Sequence, residues 1–168
     1  YGCTDTLSCN YDLLATIDDS SCIYLDILAI TTSVNCFGDN DGSVVATANG
    51  GVSPYQYSLG GGLSQASGTF SNLTAGTYFI DVTDINGCSS NQMVIITEPS
   101  SLISLTNTIL THVSCNGESD GIATLVHSGG TGALTINWNG VNPNALPAGT
   151  HSYTVTDANG CLFTSNVT

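Results

Sequence analysis

Thirteen acidic side chains and seven cysteines carry most of the reactive chemistry in this chain, which has three histidines and neither Lys nor Arg. Carboxylates gathered with Asn and Gly are the oxygen donors that a hard cation such as calcium prefers, typically about six to eight per ion. Three groups have that composition. Asp5, Asn10, Asp12, Asp18 and Asp19 lie near the start; Asp39 and Asp41 would meet Asp84; Glu118 and Asp120 would meet Asp157. None has the spacing of an EF-hand loop. The same Asp-Gly and Asp-x-Asn-Gly sequences also form turns in which the carboxylate caps backbone amides. Both readings are open at this point.

The charge balance removes several functions. A net charge of -13 leaves nothing basic to hold a phosphate backbone, so nucleic acid is excluded as a partner, and anionic membrane surfaces with it. Lysine-based chemistry is absent. No apolar run is long enough to span a bilayer, so direct membrane insertion of this segment is not expected. The serines sit in no nucleophile elbow, and no basic side chain can stabilise an oxyanion or a phosphoryl group. The chain reads as non-catalytic.

Seven cysteines without a metal-type CxxC pair indicate disulfides and an oxidising, extracellular setting. Three of them, Cys3, Cys9 and Cys22, crowd into a front stretch too short for a hydrophobic core, which therefore needs a staple or a metal. Which two pair is open, and the odd thiol is expected to bond a residue before Tyr1. Both ends read as cut from a longer protein.

The elements that must position these residues come from an internal repeat. Cys36-Phe37-Gly38-Asp39-Asn40-Asp41-Gly42 returns as Cys115-Asn116-Gly117-Glu118-Ser119-Asp120-Gly121. Leu73-Thr74-Ala75-Gly76-Thr77 returns as Leu146-Pro147-Ala148-Gly149-Thr150, and each copy closes on Val-Thr-Asp-x-Asn-Gly-Cys at 82–88 and 155–161. The second copy is six residues shorter, the loss falling before Leu146. Apolar residues alternate in both copies, as half-buried strands require. Tyr55, Tyr57 and Leu59 share a face, as do Leu134, Ile136 and Trp138. Tyr78, Ile80 and Val82 share another, leaving Phe79 on the opposite side. The alternation makes Tyr55, Tyr57 and Trp138 core residues rather than a sugar-stacking surface. His127 and His151 take the places of Ala48 and Tyr78 and so read as ordinary strand residues, while His112 has no partner motif.

The expected fold is all-β: tandem immunoglobulin-like β-sandwich domains, one disulfide each, behind a small Cys-rich module. The boundaries are 1–25 for the module, 26–98 for the first repeat and 99–168 for the second. The simplest pairing is Cys36–Cys88 and Cys115–Cys161, each closing a loop of around 50 residues worth about 4 kcal/mol in the chain-entropy model.

The two copies resemble SprB repeats, found in the giant surface adhesin of gliding Bacteroidetes and in related secreted proteins. The resemblance rests on Cys-x-Gly-x-x-Asp-Gly, Gly-Gly, an aromatic strand, Ala-Gly-Thr and Val-Thr-Asp-x-Asn-Gly-Cys. The front module resembles Gly-Cys-Thr-Asp…Ser-Cys segments of the same bacteria, with Ser20 where Gly is usual. The resemblance implies export by the type IX route and display on the cell surface as an outer-membrane-attached filament, in gliding motility or attachment. Its partners would be neighbouring repeats and an extracellular ligand or glycan. The alternative is a calcium-dependent carbohydrate- or partner-binding module beside a secreted hydrolase. Weak glycosylation motifs occur at Thr6, Asn72 and Asn166.

Overall fold

A computed structural model describes all of residues 1–168. The chain forms two compact units: Tyr1–Val34 with Asn40–Thr97, and Asn35–Asp39 with Glu98–Thr168. There is no helix; the eleven elements are all strands.

In the first unit the strands are β1 (Leu25–Thr32), β2 (Gly42–Gly50), β3 (Gln56–Leu59), β4 (Thr69–Leu73), β5 (Gly76–Thr83) and β6 (Ser89–Ile96). They form two antiparallel sheets, ordered β1-β2-β4 and β3-β5-β6, which make a β-sandwich. Alternation decides which side chains enter it. Leu25 and Ile27 of β1, Val44 and Ala46 of β2, Ile80 and Val82 of β5, and Val94 and Ile96 of β6 are buried together. Their neighbours Leu28, Ile30, Phe79, Met93 and Ile95 stay exposed, as the opposite faces of the same strands. Each fully buried aliphatic side chain contributes about 1.5–3 kcal/mol. Tyr57 is also buried, and its Oη accepts the Ala48 amide at 3.0 Å.

Residues 1–24 contain no strand, only isolated backbone pairings such as Cys3 with Tyr11. Their one fully buried apolar group is Cys3, which bonds Cys22. The odd cysteine does not look beyond Tyr1: Cys9 bonds Cys88 at the β5–β6 turn.

The second unit repeats the plan with β7 (Ser104–Thr111), β8 (Ile122–Ser128), β9 (Thr135–Asn137), β10 (His151–Thr156) and β11 (Leu162–Val167). Its sheets are β7-β8 and β11-β10-β9. The six-residue deletion costs it the counterpart of β4, which shrinks to one pairing of Gly121 with Leu146. Core volume is redistributed to match. Tyr57 gives way to Ile136, while Ile80 gives way to the fully buried Tyr153. The Tyr153 ring packs 5.3 Å from Trp138 and 5.4 Å from His127, centroid to centroid.

The expected pairing of one disulfide per repeat does not occur. Cys36 bonds Cys161 within the second unit, and Cys115 is an exposed free thiol. Topology explains why. Cys36 lies in the β1–β2 connection, beyond the end where Thr32 faces Ser43. Cys88 lies in the β5–β6 turn, beyond Thr83 and Ser89, with the whole eight-residue length of β5 between that turn and the Gly76–Ile96 end. An eight-residue strand spans about 25 Å, whereas disulfide Cα atoms lie within about 7 Å. Cys115 and Cys161 are separated in the same way, since Thr111 faces Ile122 at one end and Thr156 faces Leu162 at the other.

Candidate functional site

The residues that do most in both repeats are the aspartates of Val-Thr-Asp-x-Asn-Gly-Cys. Strand β5 ends at Thr83, so Asp84 begins the turn to β6 with its side chain directed inward, 6% exposed. One oxygen, Oδ1, accepts the amides of Asn86 and Cys88, both at 2.9 Å, which closes the turn. The other, Oδ2, accepts the amide of Val52 at 2.8 Å from the loop after β2. Asp157 does the same: Oδ1 accepts Asn159 and Cys161 at 2.9 Å, and Oδ2 accepts Thr131 at 2.7 Å.

The preceding Gly-Gly pairs make room for this. Gly51 has φ +64° and Gly130 φ +66°, in the left-handed region. A Cβ on Gly130 would stand 2.8 Å from Asp157 Oδ2 and 2.9 Å from Ile103 Cγ1. Glycine is required there by both torsion and space.

Electrostatics follow from the amides. Burial, the largest single influence on the Asp84 carboxyl, raises its pKa, but the amides of Val52, Cys88, Asn86 and Gly87 together outweigh it. Asp84 therefore ionises below the ordinary 3.8. Asp157 is lowered by the same balance, with Thr131, Cys161, Asn159 and Gly160 as donors. These are carboxylates kept charged to hold backbone, the turn-forming alternative that the sequence left open.

In the front module each acidic residue also caps its own turn. Asp5, Asp12, Asp18 and Asp19 accept the amides of Leu7, Leu14, Ser20 and Ser21 through their Oδ1 atoms. Asp5 Oδ2 accepts the Tyr24 hydroxyl at 2.6 Å, and that bond, followed by the Leu7 amide, lowers the Asp5 pKa. Asn10, in the middle of the module, ties its last residues down, accepting the Ile23 amide and donating to the Ser21 carbonyl oxygen.

The structure does not assemble the two acidic groups expected in the repeats. Asp39 and Asp41 follow the Cys36 end of the fold, while Asp84 sits past the far end of β5. Glu118 and Asp120 are parted from Asp157 in the same manner, and Asp120 instead accepts the Ser114 amide at 2.9 Å. The proposed convergence depended on the Cys36–Cys88 and Cys115–Cys161 bonds, and it goes with them. No three His, Cys, Asp or Glu side chains are placed to share an ion.

His127 and His151 are strand residues, while His112 is exposed beyond the end of β7. His127 lies against the Tyr153 and Phe163 rings, with Nε2 3.3 Å from the Tyr153 hydroxyl. His151 Nε2 is 2.8 Å from the Pro147 carbonyl oxygen. Thr6, Asn72 and Asn166 are all exposed.

Sandwich units built from repeated strands, with carboxylate-held turns and disulfides, define a tandem-repeat β protein. Two of its stretches, residues 28–64 and 107–143, match the model of the SprB repeat family. Each match takes in the first three strands of a copy and ends before the closing Asp-x-Asn-Gly-Cys motif. Such repeats are non-catalytic and belong to Bacteroidetes cell-surface proteins of the adhesin class. No curated protein matches the chain.

Proposed function

We propose that this chain is a spacer in a cell-surface adhesin filament, transmitting tension and holding other parts of the protein away from the cell. It performs no catalysis. Gliding or attachment after type IX export is the setting we propose for it.

The observation that carries the reading is how the disulfides cross. Cys9–Cys88 and Cys36–Cys161 interlock along the sequence, and Cys3–Cys22 short-circuits the front module. The shortest covalent path runs from Tyr1 to Cys3, across to Cys22, along to Cys36, across to Cys161 and on to Thr168. Fully stretched, that path is roughly 90 Å, against about 550–600 Å for the reduced chain. A segment so connected cannot be drawn out by force even if its sheets melt. High negative charge keeps neighbouring filaments apart.

The test is to pull single molecules from their two ends with and without reductant. Oxidised chains should yield no more than about 90 Å of total length, and reduced chains several hundred. Long extension of oxidised chains would remove the basis of the reading. Specific binding of the isolated chain to a glycan array would favour a binding module beside a secreted hydrolase instead.

A further inference from the structure

We propose that Cys115 is a linkage site, which bonds the Asn-Gly-Cys turn cysteine of a further repeat. Its sequence counterpart, Cys36, shows the mode. Both stand in a Cys-x-Gly turn of the same shape: the Asp39 amide donates to the Cys36 carbonyl oxygen and the Glu118 amide to that of Cys115, both at 3.1 Å. Gly38 and Gly117 share the left-handed conformation, φ +82° and +92°. Cys36 is not bonded to its own repeat's turn cysteine; the loop Asn35–Asp39 is part of the second unit and bonds Cys161 there. Asn159, two residues before Cys161, seats that loop by donating from Nδ2 to the Asn35 carbonyl oxygen at 3.0 Å.

A second, separate bond follows the same rule. Cys88, the turn cysteine of the first repeat, also bonds outside its own copy, to Cys9. Every repeat cysteine that is bonded is thus bonded to a different module. Cys115 is exposed, and the turn cysteine of its own copy is already taken by Cys36. The chemical partner it fits is therefore the thiol of a Val-Thr-Asp-x-Asn-Gly-Cys turn belonging to another repeat. Bond formation joins the two sulfurs and releases two protons and two electrons. A disulfide oxidant such as oxidised glutathione accepts them and leaves as two thiols. This linkage goes beyond the spacer reading and can fail without it, because the crossing bonds within residues 1–168 do not involve Cys115.

The experiment extends the chain with a third repeat, a copy of residues 96–168 placed directly after Thr168. That junction keeps strand register, because Thr168 corresponds to Ile95. The copied Cys115 is replaced by Ser, and the protein is oxidised in a glutathione buffer. Fragments cut at Asp and Glu are then mapped by mass spectrometry, trypsin having no site to cut. Cys115 should be found bonded to the copied turn cysteine in most molecules. Alkylation of Cys115 as a free thiol, or its scattering among all cysteines, would overturn the proposal. Should the fusion misfold, the 168-residue chain is equilibrated in the same buffer with a peptide of residues 155–161. Mixed disulfide at Cys115 should exceed that with a scrambled peptide at least about fivefold, and equal yields would overturn it.

Discussion

Asp84 Oδ2 accepts the Val52 amide at 2.8 Å across 32 residues of sequence, joining the turn after β5 to the loop after β2. Asp157 makes the corresponding bond to Thr131. The second copy has lost six residues and a strand between those partners, yet the bond is kept. A carboxylate that organises two loops at once is the common device of the two units.

Replacing Asp84 or Asp157 by Asn leaves one carbonyl oxygen but turns the other acceptor into a donor facing an amide. Each change should lower the melting temperature of its own unit by roughly 5–10 °C, with the other unit little affected. Calorimetry of D84N and D157N checks this; a shift below about 1 °C in both would show that the bonds are incidental.

Gly130→Ala forces a methyl group to within 2.8 Å of Asp157 Oδ2 at a left-handed φ. It should destabilise the second unit more than Gly160→Ala, which also has a positive φ but meets nothing within 4 Å. The comparison separates torsional strain from collision. Equal losses would mean that the crowding beside Asp157 relaxes freely.

Acid should weaken both units. Asp84 and Asp157 ionise below 3.8, so their contribution is complete above that value. It is lost as the pH falls through the lowered folded pKa. His127 acts higher up the scale: burial lowers its pKa below 6.5, so the folded state holds it neutral while the unfolded chain takes a proton. Stability should therefore fall as the pH drops from about 6.5 toward the lowered folded value. Urea titrations of the chain and of His127→Phe would show it, the variant losing the dependence between about pH 5 and 7. Parallel profiles would sink this assignment.

The front module depends on its staple. Cys3–Cys22 closes 19 residues, worth about 3 kcal/mol in the chain-entropy model, and Cys3 is the one buried apolar residue there. C3S/C22S should leave residues 1–24 open to cleavage at their aspartates while the sandwich strands stay protected. Unchanged protection would show that Cys9–Cys88 suffices.

Whether calcium binds these acidic turns is tested by a melt with calcium against chelator at fixed ionic strength. Because each carboxylate of the front module already caps a turn, the expected change is under about 1 °C. A rise of several degrees would reveal an ion binding the folded state, at about 2.7 kcal/mol for a hundredfold excess over Kd.

Period-two alternation sets Ile80 and Val82 on one face and Phe79 on the other from the residues alone, because a strand sends successive side chains to opposite faces, and in the fold Ile80 and Val82 are buried while Phe79 is exposed. The shortened loop before Leu146 was also visible in the residues alone. The disulfide partners were not. Pairing depends on which end of a sandwich each connection reaches, and that follows from the direction and order of strands, which carry no local signature. The same holds for the carboxylates: Asp-x-Asn-Gly announces a turn, but only the folded chain brings Val52 and Thr131 to the second oxygen. Local periodicity determined the strands and their buried faces. Long-range closure decided which cysteines meet, because covalent partners must come within a few ångströms and sequence distance does not measure that.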